Sequence, residues 1–339
     1  MSTPVSGRAW HLVSRPVGAP RPSDFALREA RIAPLAEGEI LVRNLFLSVD
    51  PYMRRRMDDV ESYVPPFRLD EPMDGAAVGV VVESTADTVA VGDHVQHMLG
   101  WREYAVVPAA DVTPVDPGTA PLSAYLGALG TTGLTAYAGL LRVATIKPGD
   151  VVFVSGAAGA VGSQVGQLAG LLGASRVIGS AGTRDKVALL RDEYGFDAAF
   201  DYHDGPVVDQ LRATAPDGID VYFDNVGGEH LEAAIEVLRP HGRVVLCGMI
   251  SQYNSSQAPT GPRNLVLAIN KRLRLAGMLA RDHADLRAEF LAQAGEWIRD
   301  GRLRYRETVA EGIESAAQAF MDMLGGANTG KMIVRLDTD

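Results

Sequence analysis

Residues 151–174 read VVFVSGAAGAVGSQVGQLAGLLGA, a stretch without a single charged side chain, and they leave few folds open. Val151–Val154 is a short β-branched and aromatic run of the kind that forms a buried parallel strand. Val161, Val165, Leu168, Leu171 and Leu172 then recur at helical spacing, which predicts a helix from about Gly159. Between strand and helix stand Gly156, Gly159 and Gly162. Glycines at such a turn let the backbone approach a pyrophosphate, and a helix N-terminus offers it free N–H groups and a positive dipole end. Tight helix–sheet packing would also call for glycine, so the G-x-x-G-x-x-G spacing alone leaves both readings open.

The surrounding chain narrows the choice. From about Gly127 onward, strands are expected at 151–154, 176–180, 198–201, 219–224, 243–248 and 273–279, with helical patterns at 184–194, 206–214 and 229–239. Six strands joined by crossover helices make a doubly wound parallel sheet of the α/β class, with the glycine turn following its first strand. The first 125 or so residues have a different grammar. Segments 38–49, 75–84 and 103–109 are β-rich and punctuated by Pro, Gly and Asp, with 91–95 as a turn into a further strand. The tail, 290–336, suggests two helices and a last strand, KMIVRL, that returns to the β-rich domain because the six-stranded sheet is already complete. The expected domains are 1–126 with 304–339, and 127–303.

A net charge of −10 argues against nucleic acid or an anionic membrane as a partner. The one cysteine, Cys247, excludes an internal disulfide and points to a reducing compartment. The N-terminus lacks a continuous apolar stretch of the signal-peptide kind, and the long uncharged segments 117–141 and 151–175 are dense in Gly, Ser, Thr or Pro. No membrane association is expected, and a cytoplasmic location is.

The end of the second strand selects the cofactor. An NAD site usually carries Asp or Glu there to hold the ribose 2′-hydroxyl. Here the place reads GSAGTRDKV (179–187), small residues followed by Arg184 and Lys186, which suits the 2′-phosphate of NADP(H). Asp185 is expected to support the helix N-terminus instead.

This order of domains resembles the medium-chain dehydrogenase/reductase superfamily, whose zinc-dependent alcohol dehydrogenases draw Cys and His ligands from the β-rich domain. The β-rich domain of this chain contains no cysteine, and His11, His94 and His97 lack plausible spacing for a catalytic zinc, so no metal is expected. His94 and His97 read as surface or strand-end residues. Five segments in order, SVDPYMRRRM (48–57), the glycine turn, YFDNVGGE (222–229), LCGMISQYN (246–254) and NTGKMIV (328–334), resemble the prostaglandin reductase and alkenal/curcumin double-bond reductase branch. The resemblance runs through essentially the whole chain.

It implies a GroES-like β-rich domain beside a Rossmann domain, and NADPH-dependent reduction of the C=C bond of α,β-unsaturated ketones or aldehydes. It also implies a set of contacts: Ala158, Gly159, Ala160, Val161 and Gly162 at the pyrophosphate, Lys186 at the 2′-phosphate, and Tyr202 beside the adenosine. Asn225 and the run from Cys247 to Tyr253, with Gly248, Ile250 and Ser251, pass the cofactor toward the substrate. Met278, Leu279 and Ala280 reach the nicotinamide end through main chain, and Asn328 closes the site from the tail. Thr131-Thr132 stand where the family often carries Met-Pro.

On the substrate side, Tyr52 and Tyr253 are the candidate catalytic residues, able to hydrogen-bond a carbonyl as charge develops or to relay a proton. Cys247 reads as a packing residue and not a nucleophile. The run Arg54-Arg55-Arg56 reads as a solvated face, with attraction of a carboxylate-bearing substrate as the alternative. A quinone oxidoreductase of the same fold is the alternative function. The apolar sixth strand, LRLAGML, is an edge that pairing with a second copy would cover, so a homodimer is expected.

Overall fold

The computed structural model describes residues 6–257 and 260–336. Two compact units divide it, residues 1–127 with 307–339 and residues 128–306.

The first unit is built mainly of strands. β1 (Ser6–Leu12) and β2 (Phe25–Arg31) form an antiparallel pair of their own. β3 (Glu39–Ser48), β4 (Ala77–Ser84), β5 (His94–His97), β6 (Tyr104–Pro108) and β7 (Thr113–Pro114) build the main sheet, with one short helix, α1 (Tyr52–Arg56), after β3. Alternate residues of these strands, Ile40, Val42, Val81, Val95, Ala105 and Val107, meet in one apolar cluster.

The second unit starts with α2 (Thr131–Ala138) and continues as β8 (Val151–Val154), α3 (Gly162–Leu171), β9 (Arg176–Ala181), α4 (Arg184–Asp192), β10 (Ala198–Asp201) and α5 (Val207–Thr214). Then come β11 (Ile219–Asp224), α6 (Gly228–Val237), β12 (Leu238–Leu246), α7 (Ile250–Tyr253), α8 (Val266–Lys271), β13 (Arg274–Gly277) and α9 (Arg287–Arg299). Its six strands are all parallel, in the order β10-β9-β8-β11-β12-β13. The order reverses between β8 and β11, which opens a crevice at their carboxyl ends. All four residues of β8 are buried, as a strand covered on both faces requires. Phe153 on β8 stacks between Tyr222 of β11, at 5.1 Å, and Phe200 of β10, at 5.8 Å.

The chain then returns to the first unit with β14 (Glu307–Glu311), α10 (Ala316–Leu324) and β15 (Lys331–Arg335). β15 lies antiparallel to β3, so the last strand does join the β-rich unit, and β14 lies parallel to β15.

Three expectations need correction. The helix after the glycine turn begins at Gly162, because residues 155–161 are used as the turn itself. The tail holds a strand, β14, that its sequence did not announce: ETVAE is polar and lies at a sheet edge, so no apolar pattern marks it. The fifth parallel strand starts at Leu238, with His241 in the left-handed region (φ 67°) where the strand is irregular.

The bareness of α3 has a steric cause. Every residue from Gly162 to Ala169 is buried. A Cβ on Gly166 would stand 1.9 Å from Phe196, and one on Gly162 would stand 2.4 Å from the carbonyl oxygen of Gly156. Helix–sheet packing and the turn both claim these glycines. Gly166→Ala gains helix propensity but forces Phe196 aside, for an expected net loss of about 1–2 kcal/mol in unfolding free energy. Urea denaturation of the variant checks this, and an unshifted midpoint would contradict it.

Candidate active site

The carboxyl ends of β8 and β11 are joined by one buried carboxylate. Asp224 ends β11 and is fully buried. Its Oδ1 accepts from the Tyr222 hydroxyl (2.7 Å), Gly227 N–H (2.7 Å) and Val226 N–H (3.0 Å). Ser155, first residue after β8, lies 2.9 Å from the Tyr222 hydroxyl and accepts the N–H of Asn225 at 3.0 Å. Asn225 in turn donates its side-chain amide to the Ser155 carbonyl (2.8 Å). Burial pushes the Asp224 carboxyl above the usual carboxylate range, against the pull of these donors.

The turn itself is shaped by Gly156, in the left-handed region at φ 58°, and closed by Gly159 N–H to Gly156 O at 3.0 Å. Ala157 N–H reaches the Ser180 carbonyl on β9 (2.9 Å), which fixes the turn to the second strand. Ala158 is buried, while Gly159, Ala160 and Val161 are half-buried and lie between strand and helix.

At the end of β9, Thr183 caps α4 by accepting the N–H of Lys186. Lys186 sits half-buried on the first helical turn, and burial lowers its ammonium below the ordinary lysine value, a site that an anion would favour. Tyr202 lies against Gly182, where a Cβ would stand 2.9 Å from its hydroxyl oxygen. The Tyr202 ring stacks at a tilt on His203, 4.2 Å away, and meets the buried His230 edge-on at 5.4 Å. Gly182 and Tyr202 thus stand together at the end of β9, and Lys186 lies on the helical turn that follows.

Four main-chain bonds sew the segment after β12 onto the end of β11. Cys247 and Gly248 N–H both donate to the Asp224 carbonyl, Ile250 N–H to Asn225 O, and Ser251 N–H to Val226 O. Tyr253, at the end of α7, turns its hydroxyl back to accept the N–H of Met249 (3.3 Å). Burial pushes the Cys247 thiol up to about 12, with Asp224 adding to the shift, so the sulfur is a thiol at neutral pH and no nucleophile. Met278 is buried and donates its N–H to Leu246 O (3.2 Å), and Leu279 and Ala280 follow half-buried. Thr131 is exposed at the start of α2.

In the first unit, Tyr52 opens α1 and lines a small cavity of about 80 Å³ with Arg55, Arg56, Ser62, Tyr63 and Val64. Burial, then the negative charge of Asp50, raises its phenol well above the ordinary tyrosine value, so the hydroxyl keeps its proton at any working pH. Asn328 donates its side-chain amide to Gly330 O (2.7 Å) just ahead of β15.

The arginine run is not a solvated face. Arg54 and Arg56 are buried and only Arg55 is exposed. Arg54 donates to Gly18 O and Asp58, and Arg56 to Pro65 O and Asp74 while lying 4.0 Å from the Phe67 ring centroid. Their charge pins the loops beside Tyr52, and neither guanidinium reads as a substrate anchor. The sequence reading also passed over Asp224, Ser155, Gly182 and Lys331. The charge that heads the apolar run KMIVRL is the one sequence signal for the last of these.

Two families match the chain: one described as the N-terminal domain of oxidoreductase over residues 8–115, the other as zinc-binding dehydrogenase over residues 160–296. The chain is 39% identical to the NADPH-dependent curcumin reductase of Escherichia coli, covering 98% of this chain and 97% of that one. It is 41% identical to the NADP⁺-dependent 2-alkenal reductase of Nicotiana tabacum, covering all of both. The crystal structure of CurA from Vibrio vulnificus in complex with NADPH superposes with a TM-score of 0.93 at 39% identity, covering 98% of this chain and all of that one.

The second family's description implies zinc, and the residues present do not fit it. Among the described residues no three His, Cys, Asp or Glu side chains gather as ligands. His97, expected at a surface or strand end, does end β5, but it is buried and both ring nitrogens are taken. Nε2–H donates to Asn44 Oδ1 (2.8 Å) and Nδ1 accepts Leu99 N–H (3.1 Å). These bonds are made by the neutral ring, and burial lowers its pKa to about 4, as it does for His230. Both histidines bind fewer protons folded than unfolded below pH ~6.5, so their stability is complete above that pH and is lost as pH falls toward 4. Each is expected to contribute about 2–3 kcal/mol to that loss, partly offset by Asp224, whose raised pKa works in the opposite sense. Urea unfolding of His97→Gln against the parent between pH 7 and 4 checks this: the acid slope should flatten, and an unchanged slope would contradict the assignment.

Proposed function

The chain belongs to the medium-chain dehydrogenase/reductases, in the branch of prostaglandin reductases and alkenal and curcumin double-bond reductases, and we propose that it reduces the C=C bond of α,β-unsaturated ketones and aldehydes with NADPH. The observation that carries the reading is Tyr52, a phenol held protonated at the wall of a cavity, in a chain alike over its full length to enzymes of that chemistry. NADPH supplies the hydride when bound. As hydride reaches the β-carbon, the substrate's carbonyl oxygen takes up negative charge, and Tyr52 donates its hydroxyl proton in a hydrogen bond to that oxygen. A proton taken up from solvent water at the α-carbon, with hydroxide left to the medium, completes the reduction. An enolate stabilised in this way needs no Lewis acid, in keeping with a donor set that does not suit zinc.

We assign the pyrophosphate to the turn Ala158–Gly162 at the N-terminus of α3, and the 2′-phosphate to Lys186 with Tyr202 beside the adenosine. Asn225, Cys247, Gly248, Ile250, Ser251, Met278, Leu279, Ala280 and Asn328 are assigned to the rest of the cofactor. Tyr253 is assigned to the cofactor and substrate, its hydroxyl fixed by Met249. Among the described residues no helix is long and apolar enough to cross a membrane, and the single cysteine suits a cytoplasmic enzyme.

NADPH oxidation followed at 340 nm tests this with an alkenal, an aryl enone, a quinone and a saturated ketone. Turnover is expected with the first two and not the last, and turnover with quinones alone would overturn the proposal. Lys186→Ala should raise KM for NADPH about 10–100-fold, the worth of one charge-assisted hydrogen bond, and leave kcat/KM for NADH little changed.

A homodimer is proposed on an observed apolar edge. β13 closes the parallel sheet, with no strand paired to its outer side among the described residues, and nearby α8 with the residue before it exposes Leu265 (50%), Val266 (62%) and Ile269 (77%). Light scattering at micromolar concentration should give twice 36.1 kDa, and a mass of 36.1 kDa would refute it.

A further inference from the structure

Lys331 begins β15 and is 4% exposed. Its Nζ donates to Val49 O (2.7 Å) and Met332 O (2.9 Å) and lies 3.1 Å from Asp50 Oδ1, so each ammonium proton has an acceptor. The other carboxylate oxygen of Asp50 accepts from the Ser48 hydroxyl. Ser48 ends β3 and pairs with Ile333 of β15. Two neighbouring strands therefore grip one carboxylate from both sides.

That carboxylate stands at the root of α1. The Asp50 carbonyl accepts the N–H of Met53 (3.2 Å), and Pro51, at φ −60°, leads directly into Tyr52. Asp50, Arg56, Asp74 and Tyr63 act electrostatically on the Tyr52 phenol, and of the two carboxylates among them Asp50 is the one bonded through both oxygens to the strands of the main sheet. Arg56 and Asp74 pair with each other.

Stability alone does not account for a buried ion pair here. Burying two charges is seldom better than burying apolar side chains of the same volume, and Met332, Ile333 and Val334 fill the following positions with such side chains. The lysine stem already packs as a methionine would, with Cβ and Cγ against Gly127. Glu307, its partner in the β14–β15 register, feels the ammonium's charge but is not hydrogen-bonded to it, and among the described residues its Oε1 is buried without a hydrogen-bond partner.

We propose that the Lys331–Asp50 pair is a positioning device for the reaction: it fixes the first turn of α1 so that the Tyr52 hydroxyl is held where the substrate's carbonyl oxygen develops charge. The proposal rests on the reading of Tyr52 as the hydrogen-bond donor. A phenol displaced by about 1 Å stabilises the developing enolate poorly, and losses of up to about 100-fold follow from misplacements of that size.

The test compares Lys331→Met, Lys331→Arg, Tyr52→Phe and the double variant Lys331→Met/Tyr52→Phe in the full chain. Readouts are kcat and KM with 4-phenyl-3-buten-2-one, and the Kd for NADPH by quenching of protein fluorescence. Lys331→Met is expected to lower kcat about tenfold or more with the NADPH Kd within about twofold, and Lys331→Arg to recover part of the loss. The double variant should be no slower than Tyr52→Phe, because the pair acts only through that hydroxyl. Losses that multiply in the double variant, or a Lys331→Met enzyme as fast as the parent, would overturn the positioning role while leaving Tyr52 in place. A Tyr52→Phe enzyme with full kcat would remove Tyr52 from the mechanism and this proposal with it. Should Lys331→Met fail to fold, Asp50→Asn takes its place with the same criteria, since it removes the carboxylate's charge while keeping one acceptor oxygen.

Discussion

The Asp224 carboxylate is the constraint on which the cofactor side depends. It sits where the strand order reverses, fully buried, with one oxygen taking Tyr222, Val226, Gly227 and, at 3.4 Å, Ser155 as donors, and the other, Oδ2, taking none among the described residues. Through Ser155 and Tyr222 it reaches the start of the glycine turn, and through Val226 and Gly227 the loop that launches α6. Its main-chain carbonyl holds Cys247 and Gly248 at the exit of β12. Three loops at the carboxyl end of the sheet are therefore set by one residue. In the proposed reading this backbone approaches a pyrophosphate, which bulky side chains in the loops would obstruct, and the fixing is done from beneath.

Small residues in this chain serve two demands that coincide in α3. Gly156 is needed for its backbone conformation, and Gly162 and Gly166 for the closeness of the turn and of Phe196. Gly182 serves a third purpose, since its missing side chain lets Tyr202 lie across the end of β9. With Lys186 on the next helical turn, this makes a compact polar place where a carboxylate would otherwise stand.

In the β-rich unit, buried cations do comparable work. Arg54, Arg56 and Lys331 are all buried, and each bonds to main-chain carbonyls as well as to a carboxylate. In a chain of net charge −10, two of the three arginines beside Tyr52 are turned inside, where they hold the loops around the cavity. A guanidinium or ammonium with several donors can bind carbonyls from segments far apart in sequence, which an apolar side chain cannot do with the same directional control.

Local pattern made much of this protein legible from its sequence. Strand and helix periods, the glycine turn, and the small residues followed by Lys186 are all short-range features, and they carry the parallel sheet, the cofactor class and the return of KMIVRL to the β-rich unit. What local pattern could not reveal depends on contacts between distant residues. Arg54 and Arg56 look solvated until Gly18, Pro65 and Asp74 are brought to them, and His97 looks like a surface residue until Asn44 and Leu99 close on its ring. β14 is polar, and only its neighbour β15 makes it a strand. The spacing of apolar residues records what a segment buries, and so determines the elements. Where a polar side chain lies depends on which partner the fold delivers to satisfy it, and that is decided only when the chain has closed.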